Sequence, residues 1–550
     1  MYRMIQENWQ AVTPQYSEYN VFIENMASLP LISLGQVQPR LSQTIATFTR
    51  LPGLNRLLVL NVPDNSFYRE QIQKIVLTKT NKTVLVTESL DCKALFGSYT
   101  ADHDGKIIVH KQGLLEKAAD GFLILPINAL LANPASWPAL RAALLANNAQ
   151  AINSNPTKPA INEPSYQTNC KIILTGDRAQ IADFEYLEPE LYSGLALYSE
   201  LELEIGLSTE TIESYLGHLN WIADQFNFPT LTSDAIHRLM TAGARFTEDQ
   251  RYMPLDIMWY LALFHEASLD TTTEQLDESD IDRAFESKYY REAYLPERAR
   301  SDILDGQVII ETQGECVGQV NGLTVIDIPG HPLSYGEPAR ISCVIHFGDG
   351  DISDVERKAE LGGNLHAKGM MIMQAFVASA LKLEEPLPYS ASVVFEQSYC
   401  EVDGDSATLA ELCSFVSALS EYPINQQIAV TGAVDQFGKV QAVGGLNEKI
   451  EGFYHVCKHQ GFTGNQGVIL PKTNLKHLAL HKDVVDSIKN NEFHIWSVET
   501  VDQAIPIIMG KPFRGDDEES VISMIAQRIE NFERDVHPIS LLERVKNWFA

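Results

Sequence analysis

The chain has 550 residues, 45% hydrophobic and 21% charged, an ordinary globular composition that is too long for one core, so two to four domains are expected. A net charge of −30 leaves no basic face for neutralising phosphates and argues against a nucleic-acid partner. Seven scattered cysteines without a CxxC pair, no apolar stretch in Met1–Glu7, and a most apolar window (121–146) broken by Pro126, Pro134 and Pro138 predict a cytoplasmic protein with no disulfide framework, signal peptide or bilayer span.

Residues 1 to about 50 are mixed, Pro-spotted and without a motif. From Leu57 the pattern turns α/β. Leu57–Leu60, Thr83–Thr87, Phe122–Leu125 and Lys171–Thr175 are buried-strand runs separated by helical or loop stretches, which predicts a parallel sheet. The Asn-, Pro- and Ser-rich stretch 147–169 reads as a surface loop.

Phe96-Gly97, then Lys111-Gln112-Gly113-Leu114-Leu115-Glu116-Lys117-Ala118, then Asp120–Leu125 carry a resemblance. This part is similar to the nucleotide-binding core of the AAA+ ATPases, in the version attached to Lon proteases. The resemblance implies phosphate chemistry, yet the residues for it are missing. After Leu57–Leu60, where a Walker A loop would supply glycines, a lysine and a hydroxyl, the chain reads Asn61-Val62-Pro63-Asp64-Asn65-Ser66-Phe67-Tyr68. Phe67 stands in the lysine's slot. After Phe122–Leu125 the Asp-Glu that would hold magnesium is replaced by Pro126-Ile127. Two independent losses imply a fold kept without ATP hydrolysis, against the other reading of an unrelated α/β domain.

From Gly206 to about Tyr290 the apolar spacing is helical, over Thr209–Phe226, Ser233–Arg245 and Met253–His265. The AAA+ resemblance places a helical lid here. Arg251, near the family's Gln-Arg stretch, is expected at the surface or an interface. His265-Glu266-Ala267-Ser268-Leu269 starts like HExxH but ends in Leu269, so no zinc site is expected. Thr271–Asp282 reads as an acidic connector, and the main boundary falls near Arg298–Asp305.

A β-rich region follows. Gly318–Val325 and Gly336–Ile341 are strand-like, and Leu361–Gly369 opens a helix through Leu381. Ser392–Gln397 is a strand running into Val402-Asp403-Gly404-Asp405-Ser406-Ala407. A helical run to Leu419, Ile428–Gly432 and Gly444-Gly445-Leu446-Asn447-Glu448-Lys449 come next. Gly467–Pro471 and Phe493–Val498 complete the alternation, Arg514–Glu519 is a charged linker, and 520–550 reads as one or two amphipathic helices.

Ser406 and Lys449 lie 43 residues apart. A serine hydroxyl needs a base to take its proton, and a lysine is that base only when its amine is neutral. Val443, Leu446 and Ile450 around Lys449, and a place on the first turn of a helix, both disfavour the ammonium. Backbone N–H groups where Asp403-Gly404-Asp405 turns into a helix would hold an oxyanion. Each residue alone has an ordinary meaning: an N-cap turn for Ser406, a solvated helix lysine for Lys449, a strand end for Thr431.

Together with their flanks, residues 301 to 510 look like the proteolytic domain of the B-type Lon proteases. The resemblance implies that Ser406 and Lys449 are a catalytic dyad and that Thr431, before Gly432, orients the lysine. It gives Asp403 a supporting role, shaping the loop or holding the lysine charged in an inactive state. His366 and Glu396 flank the cleft and are expected to serve packing or substrate positioning.

The expected fold class is α/β multidomain: a degenerate AAA+ α/β core with a helical lid, then a Lon-type α/β proteolytic domain. The expected divisions are a 1–50 N-terminal segment, 51–205 for the AAA+ α/β domain, 206–300 for the lid, 301–512 for the proteolytic domain and a 513–550 helical tail. The expected function is a Ser-Lys endopeptidase acting on unfolded or flexible protein or peptide substrates without ATP hydrolysis, cofactor, metal or membrane. Resemblance implies a homo-oligomer, a hexameric ring. The alternatives are a non-catalytic Lon-fold scaffold or chaperone, and an ATP-dependent Lon protease with non-standard nucleotide contacts.

Overall fold

The computed structural model describes residues 6–536 except 54, 272, 349, 383–387, 399–401 and 516–518. Met1–Ile5, half of the charged linker (516–518) and the helical reading beyond Val536 therefore lie outside the described residues. The elements used below are numbered in chain order.

Five strands, β1 (Leu57–Asn61), β2 (Val84–Val86), β3 (Phe122–Pro126), β4 (Lys171–Gly176) and β5 (Ala196–Glu200), form an all-parallel sheet in the order β5-β1-β4-β3-β2. Their unbroken apolar runs follow from burial on both faces. Leu58, Leu60 and Ile124 face one core, and Leu57, Val59, Leu123 and Leu125 face the other. Helix α1 (Ser66–Leu77) follows β1 and is capped by Asn65, whose side chain accepts from the Tyr68 N–H. The 147–169 stretch is more ordered than a plain loop, with short strands at Asn148–Gln150, Ile152–Asn153 and Ser165–Gln167.

The helical region holds α2 (Ile212–Phe226), α3 (Ser233–Thr247), α4 (Ile257–Ala267), α5 (Glu278–Glu292) and α6 (Tyr294–Leu304). Met253 is strand rather than helix, in Tyr252–Pro254 paired with Glu204–Gly206, because the residue before a proline is driven extended. The acidic stretch read as a connector contains the start of α5, where Asp277 and Asp280 form a capping box. Residues before 51 are not a separate piece. Tyr16, Tyr19, Ile23, Met26 and Leu34 share one core with α2, α3 and α4.

The third region is built on a seven-stranded mixed sheet. Its strands are β6 (Gln319–Ile326), β7 (Tyr335–Phe347), β8 (Ile352–Asp354), β9 (Tyr389–Glu396), β10 (Ile428–Val430), β11 (Gln466–Pro471) and β12 (Phe493–Val498), in the order β8-β9-β7-β6-β10-β11-β12. Around it lie α7 (Asn364–Ala380), α8 (Thr408–Ser420), α9 (Leu446–Gln460) and α10 (Val521–Val536). Alternate residues of β10 and β11 point to opposite cores. Val430 and Ile469 pack with Leu409, Leu412 and Phe415 of α8, while Ala429, Val468 and Leu470 pack with Leu446, Ile450 and Phe453 of α9. Thus α8 and α9 cover opposite faces of the sheet. Val521 and Ile525 of α10 pack into the α8 core, so this helix serves its own chain.

Two glycines let α9 lie directly on β7. A Cβ on Gly336 would stand 2.0 Å from the Glu448 carbonyl oxygen, and one on Gly452 would stand 2.1 Å from that of Gly336. Gly445, at φ +65°, turns the chain into α9 where a Cβ would strike Val325.

Candidate active site

Although α8 and α9 cover opposite faces, their N-terminal ends meet beyond the end of β10, where the sheet no longer separates them. Ser406 sits in the turn before α8, two residues ahead of the helix start, and Lys449 is on the first turn of α9. The Gly432 N–H donates to the Ser406 carbonyl at 2.8 Å, and the Leu409 N–H donates to the Gly432 carbonyl at 3.0 Å, which pins the serine turn to the strand end.

Lys449 Nζ lies 3.0 Å from Ser406 Oγ and 3.4 Å from Thr431 Oγ1. Lys449 is 3% exposed and Thr431 is fully buried. Burial pushes the Lys449 amine down to about 8, with the nearby Asp405 carboxylate working against it. Burial thus brings the neutral amine within reach just above neutral pH, with the Ser406 hydroxyl at hydrogen-bond distance from it. The Thr408 and Leu409 N–H groups are used by the Asp405 and Gly432 carbonyls, while those of Ser406 and Ala407 have no acceptor among the described residues.

Asp403 stands apart from the lysine. Its Oδ1 accepts from the Leu365 N–H at 3.3 Å, beside Gly363, whose missing side chain makes room for it. It shapes the join between the serine loop and α7. The carboxylate that faces Lys449 is Asp405, which sequence reasoning treated only as part of the turn.

His366 and Glu396 do not reach the pair. His366 is buried with Nε2 3.1 Å from Asp354 and Nδ1 3.5 Å from Glu411 of α8. Glu396 accepts from Ser342 Oγ at 2.8 Å. Glu396, its side chain 38% exposed, also lies 4.0 Å from Arg340 across the β7–β9 pair. Against the serine loop lies an open groove of about 310 Å³, lined by Lys368, Gly369, Ile372, Asp405, Val434 and Phe437. It continues along α7 into a second hollow of about 570 Å³ past Arg357 and Met371.

In the parallel-sheet region, the loop after β1 is closed by its own side chains. Arg69 of α1, its side chain 5% exposed, ion-pairs with Asp64 and donates Nε to both Glu88 oxygens at 2.9 and 3.0 Å. The other Asp64 oxygen accepts from Asn128 and Gln180, each at 2.9 Å. Phe67 packs against Phe226 of α2, the rings tilted at 39° with centroids 5.9 Å apart. Arg251 pairs with Asp249 at the surface. Among the described residues no helix is long and apolar enough to cross a membrane.

Comparison with known proteins gives these regions their relatives. Residues 395–511 match the family model of the Lon protease (S16) C-terminal proteolytic domain, and residues 80–200 match that of the LonB-like AAA domain. A Lon protease homolog of Escherichia coli (strain K12) is 41% identical over 471 residues, 85% of this chain and 80% of that protein. A Lon protease homolog of Haemophilus influenzae is 36% identical over 569 residues, covering 95% and 93%. The archaeal Lon protease of Methanocaldococcus jannaschii is 37% identical over 123 residues, 22% of this chain and 16% of its own length. With an AAA-like α/β domain, a Lon proteolytic domain and likeness at this level over most of its length, the chain belongs to the Lon protease family.

Proposed function

We propose that this Lon-family protein is an endopeptidase in which Lys449 is the base and Ser406 the nucleophile, and that it works without hydrolysing ATP. One observation carries the first half: a buried amine, pushed down to about 8, stands 3.0 Å from a serine hydroxyl in a loop whose Asp405 lines an open groove. The neutral amine takes the Oγ proton as Oγ bonds to the substrate carbonyl carbon. The oxyanion that forms is met by the free N–H groups of the serine turn. The ammonium then returns the proton to the departing amine, leaving an acyl-enzyme. Water, deprotonated by the same lysine, releases it.

The second half rests on the Asp64 network. A nucleotide phosphate needs a glycine-rich backbone cradle, a lysine and a metal-holding acid. Here the loop has no glycine, Phe67 replaces the lysine, and Arg69 is held by Asp64 and Glu88. The residues present do not fit the group, because the Asp64 carboxylate would repel the incoming phosphate. Without a motor the enzyme takes unfolded chains, flexible tails and peptides. Membership of the family supports protein substrates and a homo-oligomeric, ring-like assembly. Free cysteines among the described residues agree with work in the cytoplasm.

The test is covalent labelling by a fluorophosphonate or peptide boronate probe. Wild type is labelled at Ser406, and both labelling and casein cleavage vanish in Ser406→Ala and Lys449→Met. Casein cleavage that survives Ser406→Ala overturns the reading.

A further inference from the structure

Lys449 has acidic neighbours on its own helix. Glu448 precedes it and Glu451 follows it, and both turn towards the helical region. There Arg245, near the end of α3, donates Nη2 to Glu451 at 2.9 Å and to Glu448 at 3.2 Å, with Nη1 on the second Glu451 oxygen. Nη1 also donates to the Ala479 carbonyl at 3.3 Å, and Glu451 accepts the His481 N–H at 2.8 Å. Contacts beside it keep the two regions together. Gln250 donates to the Leu478 carbonyl at 2.6 Å, and Asp249 pairs with Lys476 at 3.4 Å. A forked guanidinium on two carboxylates is the strong form of this interaction.

We propose that Arg245 is a positioning residue for catalysis: by offsetting part of the negative charge of Glu448 and Glu451 it makes the Lys449 amine easier to deprotonate beside Ser406, so that docking of the helical region on the proteolytic domain sets the pH range of the peptidase. This inference rests on the Ser-Lys reading above.

A lysine in a dry pocket stays neutral only while little negative charge is near it. Burial supplies the neutral preference and Asp405 already opposes it. Two uncompensated carboxylates on the same turn would add to Asp405. The Glu448 and Glu451 side chains are 24% and 16% exposed and keep a route to water, which favours their ionised forms. Burial acts on both carboxyls. At Glu451 the paired guanidinium overcomes it and holds the group below the usual range, whereas at Glu448 burial prevails. The other charged groups packed around this turn include Glu248 after α3, His481, His455 and Lys458 further along α9, and Glu337 of β7 with Asp302 and Arg300. Among the described residues, Arg245 is the cation ion-paired with either α9 carboxylate.

The experiment measures kcat/KM of the full chain on a fluorogenic peptide from pH 6 to 10. Arg245→Met moves the acid-limb midpoint up by roughly half a unit and lowers activity at pH 7 about threefold. Glu448→Gln, which keeps the Arg245–Glu451 pair, moves the midpoint down. The triple variant Arg245→Met/Glu448→Gln/Glu451→Gln, which like Glu448→Gln leaves no net charge at this cluster, moves the midpoint down as well, reversing the upward shift of Arg245→Met alone. A purely structural contact would lower the plateau and leave every midpoint in place, and that result overturns the proposal. Should Arg245→Met fail to fold, the downward shift in Glu448→Gln decides alone. If wild type shows no Ser406-dependent cleavage at any pH, the Ser-Lys reading itself has failed and this inference falls with it.

Discussion

The hydroxyl of Thr431 donates to the Ser406 carbonyl oxygen at 3.3 Å and lies 3.4 Å from Lys449 Nζ, so one side chain touches both halves of the pair. Its only proton is used on the serine backbone, which makes it an acceptor towards the lysine. An amine that gives one N–H to Thr431 has its lone pair free to face Ser406. Thr431→Val, equal in shape but without the acceptor, is therefore expected to lower kcat about tenfold or more, while Thr431→Ser keeps most of it. Steady-state kinetics on a peptide substrate check both.

The pH profile follows from the lysine. With its pKa lowered to about 8, the neutral fraction, and hence kcat/KM, should rise with pH through that value and level off above it. Asp405 holds the pKa up, so Asp405→Asn should shift the midpoint to lower pH and raise the relative rate at pH 7. A midpoint that stays in place in Asp405→Asn would count against Lys449 as the titrating base.

Nucleotide should be without effect. Adding ATP and magnesium is expected to leave casein cleavage unchanged, and a many-fold stimulation would overturn the ATP-independent reading. Arg69→Met, which strands the Asp64 carboxylate among Asn128 and Gln180, should cost roughly 3 kcal/mol in urea unfolding. It should not create nucleotide dependence.

The buried cluster behind α8 predicts a stability profile. Burial pushes Glu411 up to about 7, with His366 opposing, against an unfolded value of 4.5. Burial alone would lower His366, but Asp354 and Glu411 outweigh it and hold the ring above 6.5. Both folded-state values lie above the unfolded ones, so the folded state holds extra protons and this contribution to stability falls as pH rises from about 5 to 7.5. Glu411→Gln should flatten that decline in urea midpoints measured at the two pH values. His366→Ala, leaving two carboxylates unpaired, should destabilise by roughly 3 kcal/mol without moving the acid limb of the pH–rate profile.

Much of the fold was legible because buried parallel strands have a distinctive composition. Leu57–Leu60, Phe122–Leu125 and Lys171–Thr175 each became strands within a residue of their runs. The fifth strand, Ala196–Glu200, was missed because it is an edge strand with Tyr198 43% exposed, and it lacks the continuous apolar run. The short 147–169 strands are polar for the same reason. At the site, the spacing of Ser406, Thr431 and Lys449 could be read because flanking phrases fixed their register. The roles of Asp405 and Arg245 could not. Asp403 and Asp405 are equivalent in a string of letters, and only the turn geometry decides which carboxylate faces the lysine. Arg245 lies 203 residues from Glu448 along the chain, and nothing local signals their meeting.

Strand β12 is the last strand of the seven-stranded sheet, and Gln6 and Glu7 lie along it. Gln6 bridges Trp496, the Glu7 N–H donates to the Ile495 carbonyl at 2.8 Å, and Ser497 Oγ donates to Glu7. An uncovered strand margin would invite extended polypeptide to add to it. Gln6 and Glu7 act as a selvedge here, closing the weave on that side so that no stray extended chain is stitched onto the sheet.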